Sequence, residues 1–150
     1  MNIVAAVIAG VVGTAAMSML MVVGPKMGMP KMAIWDMLGS MFDPRGNSLL
    51  GWIAHFMMGA VFALVYAALW SAGIGAPTLL WGILFGAVHF VVVGLMMGGL
   101  PMLHAGVKAG TVPAPGVLML NSGPMGLMGG LVGHLLYGLV VALVYAAFVA

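Results

Sequence analysis

The sequence predicts an all-α protein, a four-helix transmembrane bundle, on three observations. Of its 150 residues, 65% are hydrophobic and only 4% are charged, whereas a soluble domain carries about 25% charged residues. The mean hydropathy is +1.28. Four uncharged runs reach the roughly 20 residues that a helix needs to cross about 30 Å of hydrocarbon. In that solvent each run must be helical, because no water is present to satisfy its backbone groups.

The four predicted spans lie at about 3–23, 51–71, 78–99 and 127–149. No lysine or arginine precedes the first span, and its apolar part is longer than the 7–15 residues of a typical signal-peptide core. We therefore interpret it as a retained span rather than a cleaved leader.

A short interfacial helix is expected between the first two spans. The apolar residues of this connection fall at helical spacing, and its polar and small residues lie elsewhere on the helical wheel, which is typical of a helix lying along a membrane surface. The apolar positions are Trp35, Leu38, Met41 and Phe42. The third connection, 100–124, is rich in glycine and proline and is predicted to be irregular.

An internal repeat is predicted by the match between residues 51–68 and 130–147, which are identical at 10 of 18 positions. The repeated unit is a two-span hairpin, with repeat 1 at about 1–72 and repeat 2 at about 76–150. An even number of spans returns the chain to its starting side, so the two hairpins run parallel. Together they form a single integral membrane domain, 1–150.

Small residues recur every four positions on the predicted helices and indicate close helix packing. They occupy one face of each span, because residues four apart lie above one another. The packing positions are Gly51, Gly59 and Ala63 in span 2, Gly82 and Gly86 in span 3, and Gly130, Gly138 and Ala142 in span 4.

Two histidines, His55 and His134, occupy the same position in the two repeats. The simplest interpretation is structural: a neutral imidazole hydrogen-bonds across helices. The alternative is a b-type haem held by both rings in an electron-transfer protein, which requires the repeat axis to bring spans 2 and 4 together. His89, in the middle of span 3, is a weaker candidate cofactor ligand.

A third hypothesis is a copper-handling protein, because thioether sulfur and imidazole are ligands that suit Cu(I). The candidate ligands are Met27, Met29, Met32 and His104. Methionine is also an adaptable apolar filler, and that is the simpler reading of these residues.

The four lysines and arginines all lie in the first and third connections. The positive-inside rule places both connections in the cytoplasm and both termini outside. No basic patch of the kind that binds nucleic acid is present in the sequence. The absence of cysteine excludes disulfides and cysteine-ligated metals.

Catalysis is poorly supported, because the only carboxylates, Asp36 and Asp43, lie in the first connection. We expect a non-catalytic accessory or scaffold subunit of a larger membrane complex, such as an energy-transducing one. Its partners would be the lipid bilayer and either other membrane subunits or further copies of itself.

Three stretches, MLMVVGPKMGMPKMAIWDMLGSM, GWIAHF and GLVGHLLYGLVVALVYA, resemble a family of small prokaryotic four-span membrane proteins classed as a domain of unknown function. The likeness covers most of the chain, and its Met-rich connection and G-x-x-x-H-x-x-x-G motifs are fairly specific. The resemblance implies an integral bundle in a prokaryotic cytoplasmic membrane. It implies no activity, cofactor or catalytic residue.

Overall fold

The computed structural model describes residues 1–31 and 34–149, and within them every regular element is a helix. Four helices are long and apolar enough to cross a membrane, so the prediction of an all-α four-helix bundle is confirmed. In chain order the helices are α1 (Ile3–Val23), α2 (Ile34–Gly39), α3 (Ser48–Ser71), α4 (Leu79–Met97), α5 (Leu100–Leu103), α6 (Ala105–Lys108) and α7 (Gly123–Val149).

Asparagines begin two of the long helices. The side chain of Asn2 accepts a hydrogen bond from the backbone N–H of Ala5 at 3.0 Å, and Asn47 accepts one from Leu50 at 3.1 Å. Each bond satisfies one of the amide groups that the first turn of a helix leaves unpaired. Helix α1 gives way to a 3-10 turn that contains Pro25.

Antiparallel pairs of helices pack through glycine. A Cβ atom on Gly10 of α1 would lie 2.6 Å from the carbonyl oxygen of Gly59 in α3, and one on Gly59 would overlap the Thr14 hydroxyl. Helices α4 and α7 approach in the same way, since a Cβ on Gly82 would lie 2.6 Å from the carbonyl oxygen of Gly138. The backbones at these crossings are too close for larger residues.

Helices α1 and α7 join the two pairs, again antiparallel. A Cβ on Gly13 would lie 2.8 Å from a methyl group of Val141. At the end of the bundle that holds both termini, the backbone N–H of Asn2 donates to the Tyr145 hydroxyl at 3.0 Å. The helices are thus ordered α3, α1, α7 and α4 by close contact.

Aromatic rings fill the remaining gap, between α3 and α4. Trp70 stacks on Phe85 with ring centroids 5.8 Å apart, and Tyr66 meets Phe85 edge-on at 5.1 Å. The ring of Phe62 lies 3.8 Å from that of His89. Large side chains rather than glycines therefore close the bundle on this side.

The connections differ in part from the sequence prediction. A short helix does follow α1, but it ends at Gly39, so Met41 and Phe42 lie outside it. Residues 100–124 were expected to be irregular, yet they contain α5, α6 and a 3-10 turn, Val117–Ser122. Pro101 in the first turn of α5 explains why a helix can begin there.

The first and third connections are hydrogen-bonded to each other. The N–H of Ala105 donates to the carbonyl of Met41 at 2.9 Å, and the N–H of Gly106 donates to that of Ser40 at 3.0 Å. Both connections therefore lie at the same end of the bundle, opposite the termini.

Candidate functional site

A cavity of about 80 Å³, here called the inner cavity, lies among the long helices and is lined by three histidines. His55 comes from α3, His89 from α4 and His134 from α7. All three rings are buried. The rest of the wall is mainly apolar and includes the side chains of Met17, Met21, Met58, Phe62, Phe90, Val93, Met97 and Met119.

His134 is fixed by its own helix. Its Nδ1 lies 2.7 Å from the carbonyl oxygen of Gly130, and a carbonyl only accepts, so Nδ1 carries the proton and donates. In the neutral ring Nε2 then holds a lone pair. The ring meets those of His89 and Phe90 edge-on, with centroids 4.8 and 5.6 Å apart.

His89 bonds across the gap between α3 and α4. Its Nδ1 lies 3.3 Å from the hydroxyl of Tyr66. The His89 ring also meets that of Tyr137 edge-on at 5.4 Å. Tyr137 in turn donates its hydroxyl proton to the carbonyl of Gly59 at 2.5 Å, and this bond links α7 directly to α3.

His55 is the exception among the three. Its Nε2 is buried and has no hydrogen-bond partner among the described residues. The ring contacts Trp52 and Phe56 of its own helix, at centroid distances of 6.4 and 6.2 Å. A buried, unpaired ring nitrogen is unusual and calls for an explanation.

The structure thus brings together a different pair from the one that the repeat suggests. His89, not His55, is the ring against His134, although His55 and His134 line the same cavity. Cofactor pockets usually measure about 300–1,000 Å³. A haem is larger than the inner cavity, so binding between His55 of α3 and His134 of α7 would require the cavity to enlarge.

Three of the four candidate copper ligands, Met27, Met29 and His104, lie among the described residues. His104 is fully buried, its Nε2 donates to the carbonyl of Met37 at 2.7 Å, and its Nδ1 accepts from the N–H of Val107 at 3.2 Å. Neither nitrogen is left to bind copper. The sulfur of Met29 faces Gly24, and Met27 is exposed.

Met32 lies outside the described residues. Within the described part of the chain, no group of three or more histidines and carboxylates is placed to hold a metal ion.

The predicted packing residues lie at helix contacts. All eight are buried, and the structure places Gly59 and Ala63 against α1, Gly82 and Gly86 against α7, and Gly138 and Ala142 against α4. The other two contact connection residues as well as helices. A Cβ on Gly51 would overlap the carbonyl oxygen of Trp35 in α2, and one on Gly130 would lie 2.7 Å from the Met119 sulfur.

A second, larger cavity of about 540 Å³, here called the outer cavity, lies at the end of the bundle that carries the connections. It is formed by the end of α1, by residue 31, by residues 34–48 and by residues 111–122. Lys31, Asp36 and Arg45 bring charge to its wall.

The two cavities adjoin. Met21, Ile34 and Met119 line both of them. We call these three side chains the neck. Met119 and its neighbour Leu118 have positive φ angles, +62° and +50°, a conformation that is uncommon outside glycine.

Sequence reasoning found the histidines but missed the tyrosines that hold them. Tyr66 lies three residues after Ala63 in α3, and nothing in that spacing shows that its hydroxyl reaches His89. The stacked pair of Trp35 and Trp52, 4.3 Å apart, fixes α2 on α3. No periodic signal marks Leu118 and Met119, because a left-handed turn of non-glycine residues follows from surrounding contacts.

No curated protein and no solved structure matches this chain. The model of a family of unknown function, DUF6789, matches residues 1–150. The chain belongs to this family, DUF6789.

Proposed function

We propose that this protein is a non-catalytic integral membrane protein that acts as an accessory or scaffold subunit of a larger membrane assembly. The supporting observation is a group of exposed large apolar side chains outside the four long helices. Phe42 is 95% exposed, Leu103 is 81% exposed and Met102 is 75% exposed. We call these three residues the connection patch.

The connection patch is held in place by the backbone. The hydrogen bond between Met41 and Ala105 aligns the segment that carries Phe42 with the one that carries Leu103. Apolar side chains on a lipid-facing helix need no protein partner, but these lie on the connections. Exposed apolar groups at such a place favour contact with another protein at the membrane surface.

Charge supports an orientation for this surface. All four lysines and arginines lie in the two connections at this end. In a prokaryotic cytoplasmic membrane the positive-inside rule places that end in the cytoplasm and both termini outside. The partner would then meet the connection patch on the cytoplasmic side.

The environments of the carboxylates support a non-catalytic role. Asp36 accepts a hydrogen bond from the Ser48 hydroxyl at 2.6 Å, and Asp43 forms an ion pair with Arg45 at 2.7 Å. Arg45 holds the pKa of the exposed Asp43 carboxyl below its usual range, mainly through side-chain hydrogen bonding. Neither carboxylate lines the inner cavity with the histidines.

The test is purification of the tagged chain from its native membrane in mild detergent after cross-linking. We expect the wild type to carry a stoichiometric membrane-protein partner, and Phe42→Ser with Leu103→Ser to lose it. Phe148→Ser is the matched control, because Phe148 is exposed at the opposite end, in the last turn of α7. A wild-type chain that purifies alone would overturn the proposal. A complex of identical copies, lost in the double variant, would mean that the patch joins copies of this chain.

The haem and copper hypotheses are separated from this one by two measurements on the same sample. A haem protein would show a Soret band that shifts on reduction with dithionite and disappears in His55→Ala or His134→Ala. A copper protein would retain copper in elemental analysis. An accessory subunit is expected to show neither signal in its own chain.

A further inference from the structure

The two adjoining cavities together offer a polar region and an apolar region, as a binding site for an amphipathic ligand does. The outer cavity lies at the helix ends, next to Met21 in the last turn of α1 and Ser48 at the start of α3. Its volume of about 540 Å³ falls within the usual range for small-molecule sites. The inner cavity lies deeper, at the level of Thr14 and Gly59, and its wall is mainly apolar. A polar chamber at the surface therefore leads to an apolar one inside.

The neck between the cavities is formed mainly by adaptable side chains. Two of its three residues, Met21 and Met119, are methionines, whose unbranched side chains adapt readily to a bound group. Met119 and Leu118 are also held with positive φ, and such strain tends to occur where a ligand is clamped. Leu118 lies against Gly94 of α4, where a Cβ would come within 2.6 Å of its side chain.

The charges of the outer cavity are of both signs. Arg45 is already paired with Asp43 through three side-chain contacts of 2.7 to 3.1 Å. Lys31 makes no ion pair with any residue in 1–31 or 34–149. Among the same residues, the side chain of Asp36 accepts a hydrogen bond only from the Ser48 hydroxyl. One ammonium and one carboxylate are thus available to a ligand, which matches a zwitterion rather than a simple anion.

The lining also indicates which zwitterion fits. Quaternary ammonium groups are recognised by aromatic rings, and none of the described residues lining the outer cavity is aromatic. A primary ammonium instead donates hydrogen bonds, and a carboxylate such as Asp36 accepts them. A phosphate group complements Lys31. The headgroup that combines a phosphate with a primary ammonium is phosphoethanolamine.

We propose that the two cavities form one binding site for a phosphatidylethanolamine. The phosphate lies by Lys31, the ammonium lies by Asp36, and the first few methylenes of one acyl chain pass the neck into the inner cavity, whose volume of about 80 Å³ admits only that part of the chain. An ester carbonyl accepts a hydrogen bond from Nε2 of His55, which has no partner among the described residues. The order of headgroup, ester and chain matches the order of the lipid in a bilayer leaflet.

The first arm of the test compares ligands on the full-length protein, stripped of lipid in detergent. Affinity is measured by titration with native mass spectrometry. Short-chain phosphatidylethanolamine is expected to bind about five-fold more tightly than phosphatidylcholine or phosphatidylglycerol of equal chain length. Phosphatidylcholine has no N–H group to donate to Asp36, and phosphatidylglycerol has no ammonium group. Free phosphoethanolamine is expected to bind at least about a hundred-fold more weakly, because it has no chain to bury. Equal binding of the three lipids, or of the free headgroup, would overturn the proposal.

The second arm uses matched variants. Asp36→Asn keeps a hydrogen-bond acceptor for Ser48. It is expected to weaken the binding of phosphatidylethanolamine about five-fold and to leave the binding of phosphatidylglycerol unchanged. Lys31→Gln is expected to weaken the binding of both lipids. Lys108 does not line the cavity, so Lys108→Gln is expected to leave the binding of both unchanged. A pattern in which Asp36→Asn behaves like Lys108→Gln would contradict the assignment of the headgroup.

The third arm tests the acyl chain. Met58 lines the inner cavity but is partly exposed, so Met58→Trp can narrow the cavity without disrupting the core. Met57→Trp is the control, because Met57 is exposed and does not line the cavity. We expect Met58→Trp alone to reduce binding, with both variants keeping the helical circular dichroism of the wild type. Equal binding by the two variants would place the chain outside the inner cavity.

Discussion

His55 and His134 occupy the same position in two matched stretches of sequence, but their surroundings differ. His134 donates to the carbonyl of Gly130 and meets the rings of His89 and Phe90 from α4. His55 contacts the rings of its own helix and leaves Nε2 without a partner in the described structure. The contrast arises from the neighbouring helix. Helix α4 presents a histidine and a phenylalanine to α7, whereas α1 presents Thr14 and Gly10 to α3 near Gly59.

Gly59 and Gly138, four residues after the two histidines, also have different surroundings. Their substitution is expected to have the largest effect on the stability of the bundle. A Cβ on Gly138 would overlap the backbone of Gly82 and lie 2.9 Å from that of Gly86. A Cβ on Gly59 would overlap the hydroxyl of Thr14, and would lie 3.1 Å from the Cβ of Thr14 and 3.3 Å from the carbonyl oxygen of Gly10. Backbone cannot yield, so Gly138→Ala should destabilise the bundle by about 3 kcal/mol, as overpacking commonly does.

Gly59→Ala tests this difference. Gly59→Ala should lower the stability of the bundle less than Gly138→Ala does. Adding Thr14→Ala should restore part of that stability, because it removes the hydroxyl that the new Cβ would overlap. Thermal unfolding in detergent, followed by circular dichroism, measures all three variants. Equal losses for the two glycine variants would show that the two crossings are equally tight.

His104 has no counterpart in the first half of the chain, so its removal should affect the connections without touching either histidine motif. It is fully buried and satisfies the carbonyl of Met37 and the N–H of Val107. His104→Ala leaves both groups without their partner, and we expect a loss of about 2 kcal/mol. Faster amide exchange confined to α2 and α6 would confirm the local origin, whereas uniform exchange would contradict it.

Tyr137 links the two motif helices, and its loss should have an intermediate effect. Tyr137→Phe removes the hydroxyl that donates to Gly59 at 2.5 Å, at a cost of about 1 kcal/mol. Tyr66→Phe is the matched control, because its longer contact to His89, at 3.3 Å, is weaker. A larger loss for Tyr66→Phe would invert this ranking of the two bonds.

Substitution of His134 and His55 should change stability least, and the two changes should have opposite signs. His134→Phe removes the bond to Gly130 and should lower stability by about 0.5–1 kcal/mol. His55→Phe removes an unpaired polar atom and should leave the lipid-free protein unchanged or slightly more stable. The measurement is the thermal unfolding of both variants and of the wild type in lipid-free detergent. A clear loss for His55→Phe would show that its ring has a partner in solution.

The sequence predicts the long helices well because each is a long uncharged apolar run, and because charged residues, glycine and proline mark where those runs end. The described α1 runs over Ile3–Val23, as expected, and α3 and α7 begin three to four residues before the predicted spans. Glycine spacing likewise identifies the packing faces, since close backbones need small residues wherever the neighbour lies.

Which helices are neighbours does not follow from the sequence. The pairing of His89 with His134 depends on α4 lying against α7, and the bond from Tyr137 to Gly59 spans 78 residues. His104 was interpreted as a soft-metal ligand because its own sequence context does not reveal the carbonyl of Met37 beside it. The φ angles of Leu118 and Met119 depend in the same way on contacts made elsewhere.

The hydrogen bonds between the first and third connections bear on how the chain is assembled. If the four long helices cross a bilayer, residues 40–41 and 105–106 can meet only when both hairpins have the same orientation. A chain with one hairpin inverted would leave these backbone groups on opposite sides of the membrane, and would likewise separate Nε2 of His104 from the carbonyl of Met37. In a bilayer, the bonded connections would therefore form only in a chain whose two hairpins have the same orientation.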